Sequence, residues 1–281
     1  MSKENELGAL LRIAAAAGKE IISVYESTDD IEVEVKADNS PLTEADKRAH
    51  QLIEAELEKL FPSIPILSEE SKTVLTERRM GWSRFWIVDP LDGTKEFINR
   101  NGEFTVNIAL IKNGTPELGI VHVPLTGINY VGKLGAGAWK VGTAGEFEKI
   151  APSKFNKGER NIRAVASRSH RGKLIDKLIE TIESKLGRVD MVNMGSSLKI
   201  CLLAEGEADI YPRLAPTSEW DTAAAHAVLK AAGGEIYDTS FEILRYNQKE
   251  TLLNPYFIAV ADTHFNWSSV LLPVFSSISK A

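Results

Sequence analysis

Two aspartates, Asp89 and Asp92, stand beside Pro90 and Gly93 in the stretch "WIVDPLDGTKEF" at residues 86–97. Further carboxylates fall where elements are expected to begin or end: Glu69 and Glu70 after "IPIL", Asp221 after Trp220, and Asp46 in the first turn of a predicted helix. Oxygen donors of this kind suit a hard divalent cation. Mg2+ takes oxygen ligands at roughly 2.0 to 2.1 Å and is usually held by a few carboxylates, water and substrate phosphate. Two such ions about 3.5 to 4 Å apart can activate water and stabilise a leaving oxygen. Thr94 adds a hydroxyl, and the N–H groups of Gly93 and Thr94 can face an anion. Each residue also has a plainer reading. Asp, Pro and Gly are ordinary turn residues. Asp221 suits a helix N-cap, Asp46 is the acid of a Thr-x-x-Asp capping box opened by Thr43, and Glu69-Glu70 suits a solvated strand end.

The elements that must position these residues are legible in the hydrophobic spacing. Leu7, Leu10, Leu11, Ala14, Ala17, Ile21 and Val24 recur at three and four, which predicts an amphipathic helix over 5–26. A second helix is predicted after Pro41, capped by Thr43 and running to Pro62. Beyond residue 65 come short β-rich runs, of which "FTVNIALIK", "ELGIVHVP", "GINYVGKL" and "GAWKVG" predict an antiparallel meander. "FWIV", apolar at four successive positions, predicts a central strand covered on both faces, whose end opens into a crevice. Past residue 158 strands and helices alternate, ending in "EIYD" and "YFIAVAD", which predicts an α/β half on a mixed sheet. The charged linker "APSKFNKGERN" divides an N-terminal α+β half, 1–158, from a C-terminal α/β half, 159–281. A cleft between two halves is a preferred ligand site.

Composition narrows the partners. A net charge of −6 argues against a nucleic-acid polymer, which needs a basic footprint. The lone Cys201, in the apolar run "KICLLA", excludes an internal disulfide and reads as a core residue in a reducing cytoplasm. No apolar stretch approaches the roughly 20 residues of a membrane span, and the N-terminal stretch lacks a cleavage pattern. A cytoplasmic protein is expected, with peripheral contact on the cytoplasmic side of an inner membrane left open.

The trio "SEES", "DPLDGT" and "WDTAAAHA", in that order, resembles the inositol monophosphatase-like superfamily of magnesium-dependent, lithium-sensitive phosphatases. The branch is narrowed by "DPLDGTKEFI", "GSSLK", "ADIYPR" and "TSEWDTAAAHAV", which resemble the 3'(2'),5'-bisphosphate nucleotidases of sulfate assimilation. Inositol monophosphatases usually carry Thr-Asn-Phe after Asp-Gly, where this chain has Thr94-Lys95-Glu96-Phe97. The resemblance implies a layered αβαβα sandwich and hydrolysis of 3'-phosphoadenosine 5'-phosphate to AMP, by a monomer or homodimer. It implies two or three Mg2+ ions, one on Glu69, Asp89 and the Leu91 carbonyl and another on Asp89, Asp92 and Asp221. Glu69 and Thr94 would prepare the attacking water, with Asp46 near Thr94 or a further metal, and a lysine at Lys36. Gly93 and Thr94 would grip the scissile phosphate. Gly195, Ser196, Lys199 and Arg213 would hold the nucleotide, as would Ser169 and His170 in the basic loop "SRSHRGK". Ser196 and Lys199, three apart, are expected on one side of a helix. Two alternatives stay open: an inositol phosphate or fructose 1,6-bisphosphate phosphatase, and a non-catalytic phosphometabolite sensor.

Overall fold

A computed structural model of the chain describes residues 3–27, 33–36, 41–71, 75–166 and 172–278. In chain order the elements are α1 (Lys3–Tyr25), β1 (Val33–Val35), β2 (Pro41–Thr43), α2 (Glu44–Leu60), β3 (Ile66–Ser68), α3 (Thr76–Met80) and β4 (Arg84–Asp92). Then come α4 (Thr94–Ile98), β5 (Thr105–Lys112), β6 (Thr115–Val123), β7 (Ile128–Lys133), β8 (Gly137–Val141) and β9 (Phe147–Ile150). They continue as β10 (Ile162–Ala166), α5 (Lys173–Leu186), β11 (Val189–Asn193), α6 (Leu198–Ala204), β12 (Ile210–Arg213), α7 (Trp220–Ala232), β13 (Glu235–Asp238), β14 (Phe257–Val260) and α8 (Trp267–Ile278).

Among the described residues β3 to β9 form a seven-stranded sheet in sequence order, with β3 parallel to β4 and every later pair antiparallel. The second sheet has the order β11-β10-β12-β14-β13. It is mixed, since β11, β10 and β12 are parallel neighbours and β14 runs against both β12 and β13. The period-2 alternation of β4 explains its apolar run: Trp86 and Val88 face one core, Phe85 and Ile87 the other. Helices cover both sides, so Phe85 through Leu91 are buried although β4 is second in the sheet and not at its centre.

The layers follow from what each face buries. Leu10, Ala14 and Ala17 of α1, with Ala49, Ile53 and Leu57 of α2, pack on the Trp86 face. The Phe85 face meets α6 and α7, and the second sheet closes over those helices through Tyr211, Phe257 and Ala259. Its far side, with Ala164, Ile210, Ile258 and Val260, packs on α5 and α8. The order is αβαβα. Two glycines explain the alanine-rich α7: a Cβ on Gly119 would fall 2.2 Å from the Ala224 carbonyl oxygen, and one on Gly132 would fall 2.3 Å from Val228 Cα. Only a strand without side chains at these points lets the helix backbone come so close.

Six elements escaped the sequence reading: β1, β2, α3, α4, β9 and α8. β9, "FEKI", is a short, polar edge strand, and Pro273 inside α8 interrupts an otherwise helical signal. The stretch from β9 to β10 carries the chain between the sheets. It is clasped at Asp209, whose buried carboxylate accepts hydrogen bonds from Arg160 at 2.7 Å, Ser153 at 2.7 Å and the Arg163 backbone at 2.8 Å.

Candidate active site

The end of β4 is not a turn but a bulged strand. Asp89 pairs with Asn107 and Asp92 with Thr105, so three steps on β4 match two on β5. In a regular strand residues three apart point to opposite faces; the extra residue puts both aspartates on one face. Pro90 sits in the bulge, where no backbone donor is needed, and the Leu91 N–H donates to Asp89 Oδ1 at 3.1 Å. Gly93 follows with φ of 92°, a left-handed backbone where a Cβ would also meet the Glu103 carbonyl oxygen at 3.0 Å.

Two neighbours bring further oxygens to the strand end. The capping box of α2 forms as its sequence predicts: Asp46 Oδ2 accepts from the Thr43 backbone at 2.7 Å and from its hydroxyl at 2.6 Å. The other oxygen of Asp46 accepts from the Thr94 hydroxyl at 3.4 Å, and that hydroxyl also lies 3.3 Å from the Leu91 carbonyl. Glu69 leaves β3 with its N–H bonded to Val88, beside Asp89. Its carboxylate is met by the Lys36 ammonium at 2.6 Å, which also pairs with Glu70.

Asp221 arrives in the first turn of α7, its carboxylate accepting the Ser218 N–H at 2.8 Å. That turn is held from below by Glu219 and Thr222 of the "TSEWDTAAAHAV" stretch, through partners that lie outside every quoted motif. The fully buried Glu219 accepts from the Asn247 backbone at 2.7 Å and from Lys249 at 2.6 Å. Thr222 Oγ1 accepts from Tyr246 at 3.2 Å and from Asn254 at 3.1 Å. His226, given no chemistry by the sequence, is buried between Tyr246 at 2.9 Å and Glu235 at 2.6 Å.

These side chains line two adjoining hollows. One, of about 340 Å³, has Glu69, Asp89, Leu91, Asp92, Thr94 and Asp221 in its wall. The other is lined by Ser196, Lys199, Tyr211 and Arg213. Asp92, Gly93, Glu96, Thr217 and Asp221 belong to both, so the hollows share a seam. Ser196 departs from expectation. It precedes α6, with a left-handed φ of 44°, yet reaches the same hollow as Lys199. Gly195 is reached through its backbone, which donates to Glu103 at 2.6 Å. Arg213 donates to the Pro216 carbonyl at 3.0 Å, and among the described residues its buried Nε has no hydrogen-bond partner. Ser169 and His170 lie outside the described residues.

Burial dominates the electrostatics. It lifts the Asp89 carboxyl well above the usual range, helped by the charges of Glu69, Asp92, Asp221 and Asp46. Burial raises Asp92 to about 6 against the pull of Lys199, and raises Asp221 to about 8 with Asp92 adding repulsion. Glu70 rises to about 7 by burial despite Lys36. Lys199 is lowered by burial, with Asp92 opposing. Among the described residues no three acidic, histidine or cysteine side chains close a ready-made metal cage. The carboxylates ring the hollow, and Lys36 supplies a positive charge at one corner.

A profile of the inositol monophosphatase family matches residues 3–272. The chain belongs to the inositol monophosphatase family. Within that family it is 46% identical over 253 residues to the 3'(2'),5'-bisphosphate nucleotidase CysQ of Shigella flexneri, covering 89% of this chain and 98% of the relative. It is 39% identical over 269 residues to the protein of the same name from Haemophilus influenzae, covering 95% and 97%. Among solved structures, CysQ from Bacteroides thetaiotaomicron, described as a bacterial member of the inositol monophosphatase family, superposes with a TM-score of 0.80 at 45% identity, covering 92% of this chain and 98% of that one. The fold is shared more widely: the Thermotoga maritima IMPase gives a TM-score of 0.76 at 24% identity, covering 98% of both chains.

Proposed function

We propose that this inositol monophosphatase-family chain is a Mg2+-dependent 3'(2'),5'-bisphosphate nucleotidase, which removes the 3'-phosphate of 3'-phosphoadenosine 5'-phosphate to leave AMP. The observation that carries this reading is the seam: an acidic hollow adjoins a hollow containing Lys199 and the unsatisfied Arg213 Nε. A substrate with one phosphate at each end spans the two. The names of the relatives agree.

The donor set fits a hard divalent cation. It is all oxygen, its carboxylates repel one another through burial and proximity, and its corner at Glu69 and Glu70 accepts the Lys36 ammonium. In this reading Glu69, Asp89 and the Leu91 carbonyl hold one ion, while Asp89, Asp92 and Asp221 hold another. When bound, such ions supply an acidified water and charge neutralisation on the phosphoryl oxygens. The chain's own residues do the rest. Thr94, with its hydroxyl between Asp46 and the Leu91 carbonyl, orients the water and passes its proton toward the Asp46 or Glu69 carboxylate. The N–H groups of Gly93 and Thr94 hold the phosphoryl oxygens in place, and bulge geometry fixes both. Lys199 and Arg213 take the second phosphate, where the planar fork of arginine offers two parallel hydrogen bonds. Ser196 and the Gly195 strand flank the sugar. Residues 1–158 thus supply most metal ligands, and 159–281 supply Asp221 and the cations.

The test is phosphate release from 3'-phosphoadenosine 5'-phosphate, inositol 1-phosphate and fructose 1,6-bisphosphate, each with Mg2+ and with chelator. The adenosine bisphosphate is expected to be hydrolysed fastest and only with Mg2+. A preference for inositol 1-phosphate overturns the substrate, and turnover undiminished by chelator overturns the metal dependence.

A further inference from the structure

Glu96 is placed where a phosphatase least wants a third negative charge. It lies in the seam that both hollows share, half-exposed, in the first turn of α4. Two glycines clear its space. Its carboxylate comes within 3.4 Å of where a Cβ on Gly93 would stand, and its Cγ within 2.9 Å of where a Cβ on Gly195 would stand. Gly195 is in turn fixed by Glu103. Among the described residues the Glu96 carboxylate has neither a hydrogen bond nor an ion pair. Its charge pushes on Asp92 and pulls on Lys199 from a distance.

An ionised carboxylate only accepts hydrogen bonds, and it repels phosphate. Left bare beside Gly93, it weakens binding of the phosphoryl group unless the ligand brings a donor to it. The scissile phosphate at Gly93 and Thr94 sits on C3' of the ribose. The nearest donor any 3',5'-bisphosphate carries is the hydroxyl on the adjacent carbon, C2'. In the nucleotidase reading the 5'-phosphate would point the other way, toward Lys199 and Arg213.

We propose that Glu96 is a specificity-determining residue that accepts a hydrogen bond from the hydroxyl vicinal to the scissile phosphate, so that the site selects ribose over 2'-deoxyribose bisphosphates. This rests on the nucleotidase reading. A charge-assisted bond of this kind is worth about 10- to 100-fold in discrimination.

The experiment compares kcat/KM for adenosine 3',5'-bisphosphate, which is the proposed substrate, with that for its 2'-deoxy analogue. Wild type, Glu96→Ala and Glu96→Gln are assayed with Mg2+, after circular dichroism confirms each fold. The wild type is expected to prefer the riboside at least tenfold. Glu96→Ala brings the ratio to within about threefold of unity, because the deoxy substrate has nothing to lose. Glu96→Gln keeps a neutral acceptor, so its ratio falls several-fold and decides the matter if the alanine variant does not fold. A wild type that treats both substrates alike overturns the proposal, as does a folded variant that keeps the wild-type ratio at whatever rate. If the wild type hydrolyses inositol 1-phosphate and neither nucleotide, the nucleotidase reading fails and the proposal with it. If it hydrolyses both nucleotides equally, only the proposal fails.

Discussion

Asp46 serves Thr94 with one carboxylate oxygen and helix α2 with the other. Oδ1 lies 3.4 Å from the Thr94 hydroxyl, while Oδ2 takes the Thr43 backbone N–H at 2.7 Å. One side chain therefore closes the capping box and also reaches Thr94. The two substitutions separate accordingly. Thr94→Val, which keeps the shape and removes the hydroxyl, is expected to lower kcat by about 10²- to 10⁴-fold while costing no more than about 1 kcal/mol of stability. Asp46→Ala is expected to lose activity and also about 1 kcal/mol from the missing cap. Steady-state kinetics beside urea denaturation of the two variants checks both.

Asp92→Asn tests the acidic hollow. Burial holds the Asp92 carboxyl at about 6, so at neutral pH its charge is carried against its surroundings. Removing that charge is expected to abolish phosphate release while leaving the metal-free protein melting no lower than the wild type. Mg2+ is expected to raise the wild-type melting temperature and to raise that of the variant less. A phosphate-release assay reads the first of these, and a thermal melt with Mg2+ or chelator reads the rest.

Arg213→Lys keeps the charge and discards the fork. Arg213 lines the same hollow as Lys199, where its guanidinium is placed to meet a second phosphate. The KM for 3'-phosphoadenosine 5'-phosphate is expected to rise by about 10- to 100-fold, with a much smaller change for 3'-AMP, which lacks the 5'-phosphate. Equal losses on the two substrates would remove Arg213 from the second-phosphate site.

The clasp at Asp209 carries a pH signature away from the active site. Hydrogen bonds from Arg160 and Arg163 overcome burial and hold the carboxyl well below the usual carboxylate range. Its unfolded value is about 3.9. Between the folded and unfolded values the unfolded chain binds more protons, so stability rises with pH. The contribution is complete above about pH 5 and is lost progressively as the pH falls through 3.9 toward the folded value. Asp209→Asn is expected to cost about 3 kcal/mol at neutral pH, because two guanidinium groups lose their partner. It should also flatten the loss of stability between about pH 5 and 3, measured by urea denaturation across that range.

The sequence by itself determined the run of acidic residues at the element ends, the periodicities that make the helices and the meander, and the capping box at Thr43 and Asp46. These are local: a motif, a repeat of 3.6 or 2, or a cap is set by residues a few positions apart. The tertiary structure decided which side each residue serves. A bulge in β4, invisible without its partner β5, turned Asp89 and Asp92 to the same face. The packing of alanines on Gly119 and Gly132 laid α7 against the first sheet and so delivered Asp221 to the end of β4. Asn247, Tyr246 and Asn254, which hold that helix end, have no spacing to betray them, because hydrogen bonds across distant loops leave no period in the chain. Glu96 was legible in the sequence only as part of the Lys95-Glu96 pair that sets this chain apart from inositol monophosphatases. That its carboxylate stands bare between two glycines is a fact of three segments meeting, and no one of them encodes it.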